Sequence, residues 1–286
     1  MKRILVLLLV ITGLYILFNS SFNFNWFSSA AAKDAQSADI SNDTKEIVID
    51  VGSGNTKIIP EDRDDVKAIY NGKGKLSVTE DGKTVEVTLK GNWFDWFDWS
   101  SGPKHKTLTI YIPKDYRQDM KINLGSGNFN FSGKNSKLNE LSLDIGSGNL
   151  ELSNLQVNKF TLEGSSGNIK VNKLKTKKGS IDLSSGNINI DHYSGALKAD
   201  VSSGRLNVQM DRLTDSIDIE VSSGLVGLDL PENADFTLTS DVSSGRISCG
   251  FPLKSKNVSN KNINGTHGSG KHEINVSVSS GLVNIH

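Results

Sequence analysis

A Ser-Gly dipeptide recurs along this chain at nearly constant spacing: Ser53-Gly54, Ser126-Gly127, Ser147-Gly148, Ser166-Gly167, Ser185-Gly186, Ser203-Gly204, Ser223-Gly224, Ser244-Gly245 and Ser280-Gly281. From Gly127 to Gly245 the glycines fall 18 to 21 residues apart. A fixed period in this range marks a repeat architecture, because a unit of this size cannot bury its own apolar face and must stack on its neighbours to do so.

Aligned on the glycine, each unit places apolar residues at alternate positions before it (Leu143 and Ile145, Ile181 and Leu183, Ile219 and Val221). The same alternation follows it (Leu150 and Leu152, Ile188 and Ile190, Leu206 and Val208). Period-two alternation on both sides of a Gly-containing break reads as strand, turn, strand with one face buried, and excludes helix. The turn is a small residue, then Ser, then Gly, followed by Asn in the first five copies: Asn55, Asn128, Asn149, Asn168 and Asn187. Glycine there is expected to supply positive φ. Short Gly loops also join hairpins, but a third apolar position in the rest of the unit (Leu155, Leu174, Leu213) suits closure of a coil. The predicted fold class is therefore all-β, a β-solenoid of roughly 20-residue coils with Ser-Gly turns. Stacking would align the asparagines into a ladder of side-chain amides along the axis.

Gly54 and Gly127 are 73 residues apart, so the period is interrupted once. Residues 46–120 are read as an N-terminal β cap, in which residues 60–119 are an insertion or cap covering the first coil, and residues 121–286 as regular solenoid repeats. Strand-like runs cover residues 47–51, 56–59, 66–70, 75–78, 85–89 and 108–112. Between the last two lies Trp93-Phe94-Asp95-Trp96-Phe97-Asp98-Trp99, which holds three of the chain's four tryptophans. Read as the tip of a hairpin, Trp93, Phe94, Trp96, Phe97 and Trp99 are the candidate partner-binding residues. Aromatics on a loop stack on sugars, sit in a membrane interface or anchor a protein; folding back to plug the end of the stack is the alternative use.

An acidic column precedes the glycines by four residues: Asp50, Asp144, Glu163, Asp182, Asp200, Glu220 and Asp241, with Asn123 and Ser277 in the other copies. Alternation points it to solvent. Like charges on adjacent strands repel, so either nearby basic residues compensate, with Lys121, Lys198, Arg205 and Arg246 within reach of this face, or cations bind. No coil departs from the pattern to make a catalytic pair of carboxylates. His105, His192, His267, His272 and His286 lack metal-ligand spacing. The segment from Gly265 to His272 misses a phosphate-binding loop, having no Ser or Thr after Lys271 and no helix to follow. No catalytic residue, metal or cofactor is expected. Cys249 occupies a position that is apolar in other repeats, which predicts a buried thiol.

Lys2 and Arg3 precede an apolar run over residues 4–18 that continues with aromatics to Phe27. Ala30-Ala31-Ala32 lies too far from this run for a well-placed signal cleavage site. Residues 1–27 are accordingly read as a single transmembrane helix and uncleaved anchor, N-terminus cytoplasmic and the rest extracytoplasmic. Residues 28–45 are read as a flexible linker. The 32 basic and 32 acidic side chains balance, leaving no field to draw the chain to nucleic acid.

The N-terminal anchor, the Gly-Ser-Gly-Asn and Ser-Ser-Gly-Asn turns and the Ile112-Pro113-Lys114 lead-in together resemble the bacterial putative-adhesin family of unknown function, over about residues 45–286. The resemblance implies a β-solenoid, an extracytoplasmic location, an association with the cell envelope and its stress response, and no established catalytic residues. The expected function is a non-enzymatic, membrane-anchored protein presenting a surface to cell-wall polymer or to membrane protein partners. The alternative is a carbohydrate-active enzyme on a β-helix, which a groove flanked by two distinctive carboxylates would favour.

Overall fold

The computed structural model describes residues 33–72, 74–90, 106–259 and 261–286; the expected anchor lies outside them. The first strands are β1 (Lys33–Asp39), β2 (Glu46–Glu61), β3 (Asp65–Asn71), β4 (Lys75–Asp81), β5 (Thr84–Lys90) and β6 (Thr107–Pro113). They lead into β7 (Asp119–Val201), a long extended run wound through successive coils. Then come β8 (Arg205–Met210), β9 (Ile217–Val221), β10 (Leu225–Asp229), β11 (Phe236–Val242) and β12 (Arg246–Cys249). The last are β13 (Lys254–Ser259), β14 (Asn262–His267), β15 (His272–Val278) and β16 (Leu282–Ile285).

Coils stack in parallel register, as a solenoid requires and a hairpin array would not. Ile49 pairs with Ile122, Ser53 with Ser126, Gly54 with Gly127 and Asn55 with Asn128. The alternating apolar residues form one continuous core; Ile49, Ile122, Leu143, Leu162, Leu183 and Ile219 are all buried. The third apolar positions follow suit, with Leu155 and Leu174 buried and Leu213 half-buried against the core.

The expected positive φ occurs at Gly54, Gly127 and Gly186 and not at the other turn glycines. From Gly127 onward the constraint common to the series is close approach of another part of the stack. A Cβ on Gly204 would lie 2.9 Å from the carbonyl oxygen of Gly186, and one on Gly224 would lie 2.7 Å from that of Gly204. Side chains are excluded because consecutive corners lie directly over one another. The left-handed conformation appears at a second corner, at Lys134, Asn154, Lys173 and His192. No glycine signals this corner, so the periodicity of residue types gives no hint of it.

The expected regular order of the last repeats is corrected. β15 lies between β9 and β11, pairing in parallel with both, and β16 lies between β10 and β12. After β10 the chain leaves one layer vacant, builds the β11–β12 layer, reverses through the β13–β14 hairpin, and fills the gap with its final coil. Every coil shows its neighbours the same pattern of apolar and small residues, so the pattern cannot fix which coils are adjacent.

The N-terminal readings are corrected too. β2 belongs to the coil series and not to a cap. β5 and β6 do not pair with each other as a hairpin; each runs parallel to β2, β5 along its first half and β6 along its second, so together they make a further coil. β4 and β3 cover that coil antiparallel. β1 pairs with β3 along Lys33–Asp39, inside the stretch read as a linker. Its small polar residues suit an outermost strand, which needs backbone partners but little apolar surface.

Both ends are closed with side-chain amides. Gln36 donates from Nε2 to the Leu76 carbonyl at 2.9 Å and accepts the Val78 N–H at 2.9 Å. At the far end, Asn264 and Asn262 accept the N–H groups of Ser240 and Val242, each at 2.7 Å. These amides occupy β-edge groups that would otherwise template another chain.

Candidate ligand face and aromatic insert

Because the residue after each turn glycine points outward, the parallel register converts a recurrent Asn into a column. The amide of Asn128 donates to Asn55 and that of Asn149 donates to Asn128, both at 2.8 Å. The ladder stops there. Among the described residues, Nδ2 of Asn55, Oδ1 of Asn149 and the whole side-chain amides of Asn168 and Asn187 have no partner.

The next outward column supplies Lys57, Asn130, Glu151 and Lys170, with Asn130 donating to Glu151 at 3.1 Å. The first column from Asn55 to Asn168, the second column and Thr107 line a shallow cleft of about 620 Å³. Amides donate and accept without titrating near neutral pH, and the lysines add charged donors. This chemistry suits a ligand rich in hydroxyl or anionic oxygen groups.

The aromatic residues Trp93, Phe94, Trp96, Phe97 and Trp99 lie outside the described residues. The strands on either side of them both run parallel to β2: Leu89 aligns with Val51 and Thr107 with Asn55. The start of β6 is tied to the ladder, since the Asn55 N–H donates to the Lys106 carbonyl at 3.1 Å and Thr107 borders the cleft. Reading runs of strand in sequence makes β5 and β6 the arms of a hairpin, whereas each lies along β2 instead.

The acidic column points outward as expected, with Asp50, Asp144, Glu163, Asp182, Glu220 and Asp241 exposed. Among the described residues no ion pair joins Lys121, Lys198, Arg205 or Arg246 to it. The column is interrupted at two places only: Asn123 stands against Asp50, and the exchanged final coil puts Ser277 between Glu220 and Asp241, while Asp200 stands directly beside Glu220.

The loop that resembles a phosphate cradle already holds an anion of the protein itself. Asp235 Oδ1 accepts the N–H groups of Ser269, Gly270 and Lys271 at 2.8, 2.6 and 3.0 Å, and Oδ2 accepts the Ser269 hydroxyl at 2.6 Å. The Ser269 hydroxyl bond and then these backbone N–H groups pull the Asp235 pKa down to about 2. His267 is half-buried and packs its ring 5.0 Å from that of Phe251. Cys249 is half-buried, and burial pushes its thiol pKa up, which lowers its reactivity. No group of three or more His, Cys, Asp or Glu side chains among the described residues could hold a metal ion.

A family model described as Toastrack DUF4097 matches residues 44–286. Among solved structures, a putative adhesin from Bacteroides fragilis is 14% identical, with 90% of this chain and 98% of that chain covered, at a TM-score of 0.48. A putative adhesin from Parabacteroides distasonis is 15% identical, with 90% and 98% covered and the same TM-score of 0.48. A putative cell adhesion protein from Clostridium sporogenes is 15% identical, with 89% and 99% covered, at 0.31. No curated protein matches the chain. At these TM-scores the site's chemistry has to be read from its own residues.

Proposed function

This chain belongs to the Toastrack DUF4097 family, and from that premise we propose that it is a non-enzymatic, extracytoplasmic protein whose amide-rich flank and aromatic insert together hold cell-wall polymer. The observation that carries this reading is that the chain resuming at Lys106, after the aromatic segment, accepts a backbone hydrogen bond from the first asparagine of the ladder. Aromatic faces stack on sugar rings and a row of amides binds hydroxyls, a pair of chemistries suited to an extended polymer. A membrane protein partner is the other occupant such a surface fits.

The basic, apolar N-terminus supports attachment to the membrane through residues 1–27. Together with the Gly-Ser-Gly-Asn turns and the Ile112-Pro113-Lys114 lead-in, it resembles a membrane-anchored family member encoded beside a cell-envelope stress-sensing system. That resemblance supports a role in the envelope's stress response.

Co-sedimentation of the full chain with purified insoluble cell wall tests the reading. The triple substitutions W93S/W96S/W99S and N55A/N128A/N149A should each keep the melting temperature within a few degrees and lose most wall binding. A tryptophan variant that fails to fold would assign those residues to plugging the stack, and the asparagine variant would then decide. Undiminished binding by both variants would overturn the proposal.

A further inference from the structure

We propose that the C-terminal part of the same flank docks on an anionic phospholipid bilayer, through Arg205, Leu225, Leu282 and Arg246. These residues occupy the column that carries asparagine in the first coils. In sequence the series alternates Arg205, Leu225, Arg246, Leu282. The exchanged final coil reorders it: Arg205 stands beside Leu225, Leu225 beside Leu282 and Leu282 beside Arg246. Two leucines from distant parts of the chain thus become one apolar patch with a guanidinium on either side.

Leu225 and Leu282 are 39% and 37% accessible, and with Val258 they are the exposed large apolar side chains among the described residues. Among those residues neither guanidinium has a hydrogen-bond or ion-pair partner. Nothing charged intervenes nearby in the column's own strands. The next outward residues are Asn207, Gly227, Asn284 and Ser248, and the corner residues before the column are serines and glycines. The acids Asp200, Glu220 and Asp241 each lie five residues earlier, on the flank beyond the corner.

Unpaired guanidinium groups beside exposed leucines complement a surface with phosphate at one depth and apolar chains just below it. Arginine meets the phosphates while leucine enters the interface. The size of the patch separates a bilayer from a protein partner. A stable protein interface needs about 800 Å² per partner, far more than two partly exposed leucines offer, whereas interfacial binding works through a few apolar side chains reinforced by basic ones. Hydroxyl-rich wall polymer has no apolar layer to receive the leucines, so this proposal stands or falls independently of wall binding.

The test uses the full chain carrying C249S and S223C, with bimane on the introduced thiol beside Leu225, reconstituted into phosphatidylcholine vesicles with or without phosphatidylglycerol. The expected result is a blue shift and quenching by spin-labelled lipid in the anionic vesicles only, reduced at high salt. R205Q and R246Q should each lower the docking equilibrium about fivefold, and L225S/L282S should abolish quenching, with melting temperatures unchanged. W93S/W96S/W99S should leave the signal intact. A label that stays in water, a signal indifferent to both arginines, or a shift that follows protein concentration without lipid and so reports self-association would overturn the proposal.

Discussion

Asn128 donates its side-chain amide to Asn55, 73 residues earlier in the chain, at 2.8 Å. The pairing shows that the first Ser-Gly corner is a full member of the stack. Residues 62–118 form an excursion that adds layers to the outer side of β2 and returns the chain in register.

Asn128→Ala removes two exposed amide bonds, one to Asn55 and one to Asn149. Exposed bonds of this kind contribute little, so the expected loss is about 0.5–1.5 kcal/mol in total. Urea denaturation monitored by far-UV circular dichroism gives the figure, and a loss several times larger would mean that the ladder holds the coils together.

Gly224→Ala tests close approach without the complication of φ. The added Cβ would meet the Gly204 carbonyl oxygen at 2.7 Å and Cγ1 of Val201 at 2.5 Å, whereas a Cβ on Gly52 would meet nothing within 4 Å. Gly224→Ala should therefore destabilise by about 1–3 kcal/mol, and Gly52→Ala by no more than about 0.5 kcal/mol. Equal melting temperatures for the two variants would refute the backbone-stacking account.

Thr56 is buried between Leu108 and Phe129, and its hydroxyl has no hydrogen-bond partner. An unmade bond in an apolar core costs about 1–3 kcal/mol. Thr56→Val keeps the shape and removes the polar atom, so it should raise stability by about 1–2 kcal/mol in chemical denaturation. A destabilised variant would show that the hydroxyl is satisfied in solution.

Asp235 should make the β14–β15 turn sensitive to acid. Its folded pKa of about 2 lies below the ordinary value near 3.8. A depressed carboxylate pKa contributes stability that is complete above the unfolded value and is lost as pH falls through the folded one, so the window runs from about pH 4 down to about pH 2. The amide protons of Ser269, Gly270 and Lys271 should shift upfield across that window in NMR spectra, and Asp235→Asn should abolish the titration. A midpoint near 4 would show that the carboxylate is not held by the loop.

The sequence by itself determined the kind of object this is. A Gly corner every 18 to 21 residues with alternating Leu, Ile and Val on both sides admits stacked coils and little else, because each residue type there answers a local demand: an apolar side chain facing in, or no side chain where backbones meet. The amide ladder was legible for the same reason, since equal spacing makes equal residues neighbours. Tertiary structure alone decided which coil lies on which. Interchangeable coils carry no address, so the seating of β15–β16 between earlier layers, and with it the meeting of Leu225 and Leu282, depends on the length and path of the β11–β14 excursion. The same limit hid the pairing of β5 and β6. Leu89 and Thr107 read as parts of two strands of a hairpin until β2 is found parallel to both, and pairing across dozens of residues is a long-range choice that no local propensity records.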